Sequence, residues 1–180
     1  MQLIGNRSSR PRARPARPAD AAAIAAIYNQ GIEDRVATFE TEPRAPAQIA
    51  SWFATGRPTV VATDADDAPI AFASASAYRN RPCYAGIAEF SVYVRRDWRG
   101  RGAGKVALAA LIEASAAAGL WKLVSRVFPE NAASRALLRR MGFREVGVYH
   151  RHGQLDGVWR DCVIVERLLD RDRPATTGEG

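Results

Sequence analysis

The sequence predicts one α/β domain in which strands and helices are interleaved, and three observations predict it. Segments of period-two apolar alternation are interleaved with helical patterns rather than grouped apart. A Gly/Arg turn, Arg-Gly-Arg-Gly-Ala-Gly from Arg99 to Gly104, joins a strand pattern to an Ala/Leu-rich helical run. The chain has 180 residues, 47% of them hydrophobic, which is enough for one well-buried core and too few for two ordinary domains.

Residues 1–13 are Arg/Pro/Ser-rich with little to bury and read as a disordered lead-in; 170–180 read as a disordered tail, leaving 14–169 as the folded domain. A short strand near Arg14 opens it. Asp20 is placed to cap a helix through Gln30, with Ile24, Ile27 and Tyr28 on one face and Gly31 as its stop. A second helix starts at Pro46, carries Ile49, Trp52 and Phe53, and ends at Gly56. The polar and aromatic loop between them, 32–42, is long enough to wall a cleft. Thr59 to Thr63 and Ile70 to Tyr78 read as paired strands, and Ile87 to Val94 as the next. A helix from Gly104 to Ala118, a strand from Trp121 to Phe128 and a short helix from Asn131 to Met141 follow. Glu145 to His152 and Val158 to Leu168 close the chain as a hairpin across Asp156-Gly157.

Two distant cysteines, Cys83 and Cys162, with no Cys-x-x-Cys or histidine cluster, argue against a disulfide framework and against a zinc site, and suit a reducing cytoplasm. His150 and His152 stand two apart on one strand face and find no third ligand. No run of about 18 apolar residues is present for a membrane span, and the N-terminus has no apolar stretch for a signal peptide. The net charge of +7 owes much to five arginines in residues 1–20. No aromatic residue is interleaved with them, which argues against a basic nucleic-acid-binding module, the alternative of another class. The modest excess elsewhere matches an anionic ligand.

The Gly/Arg turn has the composition of a phosphate site: close glycines let successive N–H groups point into one concavity, and the following helix adds its positive end. Register excludes the two common nucleotide motifs. A dinucleotide fingerprint counted from Gly100 and Gly102 needs glycine where Lys105 stands, and a P-loop ending at Gly104-Lys105 needs glycine at Arg99 and a hydroxyl at Val106.

What remains, Arg-x-x-Gly-x-Gly from Arg99 to Gly104 between a strand and a helix, resembles the acyl-CoA pyrophosphate loop of the GNAT N-acetyltransferase superfamily. The element order over 14–169 is similar to the same fold, which implies a mixed, mostly antiparallel sheet flanked by helices, with fourth and fifth strands that are parallel and splay apart. The resemblance implies acetyl-CoA as cosubstrate, held by Val92, Tyr93 and Val94 at the strand end, by Arg99, Gly100, Arg101, Gly102, Ala103, Gly104 and Lys105 around the turn, and by Asn131 and Ser134 on the next helix. It implies no metal.

Glu89 lies in the fourth strand among apolar neighbours, where an ionised carboxylate is costly unless paired or functional. The segment Glu-x-x-Val-Tyr-Val resembles the phosphinothricin and arsinothricin N-acetyltransferase branch, in which a glutamate at this place is the general base. That resemblance implies a small-molecule amine substrate, a resistance role, and a substrate site at Phe39, Arg79, Arg81 and Tyr84. Two arginines suit a ligand with a carboxylate and a phosphinate or arsinate. Seven residues after Asn131, where the superfamily carries a tyrosine to protonate the leaving thiolate, this chain has Leu138. The expectation is thus a cytoplasmic N-acetyltransferase with no membrane or nucleic-acid partner and room for a homodimer. The alternative within the same fold is a peptide or protein amine acetyltransferase, which calls for an open acidic groove.

Overall fold

A computed structural model describes residues 10–169. Seven strands form one sheet in the order β1-β2-β3-β4-β5-β7-β6. They are β1 (Arg12–Pro15), β2 (Thr59–Thr63), β3 (Pro69–Ala77), β4 (Ile87–Val94), β5 (Lys122–Val127), β6 (Arg144–Leu155) and β7 (Val158–Leu168). Every neighbouring pair is antiparallel except β4 and β5, which are parallel.

Helices cover both faces. Along β2 the odd and even side chains part company: Val60 and Ala62 pack with α3 (Ala103–Ala117), while Val61 packs with α1 (Ala21–Glu33) and Ile49 of α2 (Pro46–Ala50). All five β2 residues are therefore buried, which explains a continuous apolar run where a one-sided strand would alternate. Ile24, Ile27, Phe72 and Tyr93 fill the α1 side, and Leu108, Leu111, Leu123 and Phe90 the α3 side. Full burial of each large side chain contributes about 1.5–3 kcal/mol, far more than the few tenths that distinguish helix propensities along an alanine-rich segment.

Three expectations change. Strand β1 starts at Arg12, paired with Thr63, so ordered structure begins inside the stretch assigned to the lead-in; residues 1–9 and the tail from 170 lie outside the described residues. Gly31 does not stop α1, which runs on to Glu33. A Cβ at Gly31 would stand 2.6 Å from the Tyr93 ring, so the glycine is there for close approach to β4. Asp20 does not cap α1 with its side chain. It accepts from Arg14 at 2.7 and 3.0 Å and from the Arg17 amide at 2.7 Å, and so fixes the bend between β1 and α1.

Helix α4 (Ala132–Arg140) has nine residues and would be marginal alone. It is held by the buried Leu138, by a cap from Asn131, and by Arg135 gripping Glu145 at 2.8 and 3.0 Å.

Candidate active site

The parallel pairing of β4 with β5 covers Ile87 with Lys122, Ala88 with Leu123 and Glu89 with Val124, then ends. Two side-chain contacts cross further on, from the Ser125 hydroxyl to the Phe90 carbonyl at 2.9 Å and from Arg126 to Glu89. Beyond them the strands separate, and a cleft of about 740 Å³ opens between the end of β4, the Gly/Arg turn and α4. Val92, Tyr93, Val94, Arg99, Gly100, Gly102, Ala103, Gly104, Lys105, Asn131 and Ser134 all line it.

The turn is shaped by two left-handed glycines, Gly100 at φ 73° and Gly102 at φ 85°. Nothing lies within 4 Å of a Cβ at either position, so conformation and not space requires glycine there. Gly102 is the N-cap of α3, and the first-turn N–H groups of that 15-residue helix give this end of the cleft a positive field.

Arg99 is already committed. Its Nε donates to the Val94 carbonyl at 3.2 Å and its Nη2 pairs with Asp34 at 2.7 Å. Asp34 also takes Arg96 at 2.7 Å, which ties the end of α1 to the turn. Burial pushes the Asp34 carboxyl up, but hydrogen bonds from Arg96 and Arg99 outweigh it and hold it below the usual carboxylate range. Arg101 does not line the cleft; its guanidinium stands over the Trp98 ring, 5.5 Å from the centroid, and faces a second cavity.

Glu89 shares its strand face with Ser91 and Tyr93, opposite the α3 side where Ala88 and Phe90 are buried. It forms an ion pair with Arg126 of β5, and Arg126 is the member of the pair that lines the cleft. Asn131 uses both ends of its amide: Oδ1 accepts from the Ser134 amide at 3.1 Å, capping α4, and Nδ2 donates to the Val36 carbonyl at 3.1 Å, anchoring the loop after α1. Leu138 is buried in the cleft wall and offers no proton.

The expected substrate residues stand apart from this cleft. The Phe39 ring meets Phe128 edge-on at 4.9 Å and lies over Gly153, in a small cluster with Leu155 and Cys162. Arg79 and Arg81 stand over Tyr78 and Tyr84, at 5.2 and 5.8 Å from their ring centroids, and the two tyrosines meet edge-on. Neither arginine has a carboxylate partner among the described residues. Arg79 is stabilised in its charged form by Tyr78, and also by Tyr84 and Tyr149, so this loop reaches toward β6. His150 and His152 do not share a regular strand face, because a bulge puts Arg151 at φ 48° between them. Asp161 holds that bulge, accepting from the Arg151 amide and lying beside His150 Nδ1, both at 2.8 Å. Among the described residues no group of three His, Cys, Asp or Glu side chains could hold a metal.

Two residues of the site escape sequence reading. Asp34 sits in an ordinary acidic helix end and carries no motif. Arg126 could have been sought as one of two charges, with Lys122, on the same face of β5 as Val124, Glu89's partner, and as the one nearer the Gly/Arg turn end of the strands.

A mixed sheet that parts between two parallel strands, above a glycine turn at a helix N-terminus, defines an acyl-CoA-dependent transferase. The chain belongs to the acetyltransferase (GNAT) domain family, whose model matches residues 10–144. It is 39% identical over 166 residues to an L-methionine sulfoximine/L-methionine sulfone acetyltransferase of Pseudomonas aeruginosa, covering 90% of this chain and 96% of the relative. It is 35% identical to a phosphinothricin N-acetyltransferase of Streptomyces coelicolor, covering 87% and 95%. Among solved structures, a phosphinothricin acetyltransferase from Sinorhizobium meliloti in complex with AcCoA superposes with a TM-score of 0.82 at 34% identity, covering 89% of each chain. The protein is an acetyl-CoA-dependent N-acetyltransferase. Its residues suit that cosubstrate: the β5-facing edge of β4 after Glu89 is not taken by strand pairing, and a positive turn follows at the strand's end.

Proposed function

We propose that the enzyme acetylates the amine of a small amino acid-like substrate of the phosphinothricin, arsinothricin or methionine sulfoximine type, in the cytoplasm, and so inactivates such compounds. The observation that carries the reading is the joint one: near-full-length similarity to enzymes named for phosphinothricin and methionine sulfoximine, in a chain that has Glu89 at the fork of the sheet. Free thiols at Cys83 and Cys162 accord with a reducing compartment.

Acetyl-CoA supplies the thioester carbonyl. Glu89 takes the proton of the substrate ammonium, directly or through water, and Arg126 keeps its carboxylate in place. The freed amine forms the new N–C bond and its nitrogen gives up its second proton to solvent water, while the C–S bond breaks and the sulfur leaves with its electron pair. Leu138 cannot protonate it, and the low intrinsic basicity of a thiolate lets it depart as such. Arg79 and Arg81, with no carboxylate partner among the described residues, grip the two anionic groups of the amine substrate.

The test is acetyl-CoA consumption with L-phosphinothricin, arsinothricin, L-methionine sulfoximine, L-methionine sulfone, polyamines and N-terminal peptides. Turnover confined to peptides or polyamines overturns the substrate class. Glu89→Gln is expected to lower kcat by roughly 10²–10⁴-fold with the KM for acetyl-CoA little changed; full turnover across pH in that variant removes the base.

A further inference from the structure

Lys105 and Gly102 are shared by two cavities. The second, about 330 Å³, lies on the outer side of the turn and is lined by Arg10, Pro11, Arg101, Gly102, Lys105 and others. Three cations from two separate places in the chain converge there, and among the described residues no carboxylate lines the cavity. Asp97, close enough to feel Arg101, has both oxygens held by Arg95 at 2.7 and 3.1 Å. Pro11, Val106 and Ala109 form its apolar remainder.

Coenzyme A brings more negative charge than the main cleft can answer. Besides its pyrophosphate it carries a phosphate monoester on the ribose 3′ oxygen, itself close to dianionic at neutral pH. In the main cleft Arg99 and Arg126 are already paired, with Asp34 and Glu89, leaving Lys105 and Arg140. Since Lys105 stands at both cavities, a pyrophosphate at the turn puts the adjoining ribose within reach of the outer one. We propose that Arg10, Arg101 and Lys105 form the subsite for the 3′-phosphate of acetyl-CoA. The subsite makes the enzyme selective for the 3′-phosphorylated cosubstrate and gives the basic N-terminal segment a part in binding it. The assignment rests on acetyl-CoA as cosubstrate and is independent of the amine and of Glu89.

The test is calorimetric binding of CoA and of 3′-dephospho-CoA to the full chain without amine, so that a wrong amine or base leaves the result untouched. The wild type is expected to bind CoA about tenfold tighter than dephospho-CoA, a preference that shrinks as salt rises. Arg10→Ala and Arg101→Ala are each expected to weaken CoA several-fold and to narrow the preference, whereas Arg140→Ala keeps it. Arg10 is exposed and its replacement leaves the core intact. Equal affinity of the wild type for the two ligands, an equal loss for both ligands in the Arg10 and Arg101 variants, or a preference abolished by Arg140→Ala alone would each overturn the subsite.

Discussion

Glu89 and Arg126 are joined by an ion pair at the last position where β4 and β5 still run as partners, with Arg126 two residues beyond Val124, the residue opposite Glu89. The side chains are 26% and 46% exposed, so as a stabilising contact the pair is worth under about 1 kcal/mol. In the proposed role of Glu89 as base the pair acts in another way, because the arginine would decide where the carboxylate stands.

Arg126→Ala is accordingly expected to change stability by less than about 1 kcal/mol and to lower kcat by roughly tenfold through loss of positioning. In a Glu89→Gln background the same change should cost little more, because the two residues act as one unit. Thermal melts and steady-state kinetics on the four-member cycle measure both; additive losses would separate the residues.

Gly31→Ala sets two effects against each other. Alanine gains about 1 kcal/mol in helix propensity, but its Cβ would stand 2.6 Å from a Tyr93 ring enclosed by Tyr28 and Phe72. Overpacking against a ring that cannot swing away costs about 1–3 kcal/mol, so a net loss of stability is expected in urea titration.

Asp20 supplies a pH signature. The hydrogen bond from Arg14 holds its carboxyl below the ordinary value of 3.8 despite burial. A depressed folded-state value stabilises the fold above the unfolded value, and the contribution is lost as pH falls through the folded one. Asp20→Asn is expected to cost about 1–3 kcal/mol at pH 7, with the gap to the wild type closing below about pH 4. Melting temperatures of both proteins from pH 3 to 7 give the comparison.

Asn131 has two duties that conservative variants separate. Asn131→Asp keeps the acceptor that caps α4 and loses the donor to Val36, so stability should hold while the KM for acetyl-CoA rises as the cleft wall loosens. Asn131→Ala loses both and should add a stability cost of about 1 kcal/mol.

Local chemistry made much of this readable beforehand. The limits of β2, β4 and β7 follow from apolar runs and alternation between polar turns, and the structure keeps them. The Gly/Arg turn was readable because its glycines serve backbone conformation, a property of the residue itself. Gly31 was misread because its neighbour in space, Tyr93, lies 62 positions away in sequence. Arg99 looked like a free phosphate ligand until Asp34, another distant residue, was seen to hold it. The histidine pair needed a bulge at Arg151 that no residue type announces.

Only three residue pairs stitch the strand group β1 to β4 to the group β5 to β7 by parallel pairing. Placed as proposed, against the open edge of β4 and reaching α4, the cosubstrate would serve as mortar in the thinnest joint of the sheet. Each release would then hand the enzyme back with that joint unbraced, so that its lifetime would depend on cosubstrate supply as well as on its own core.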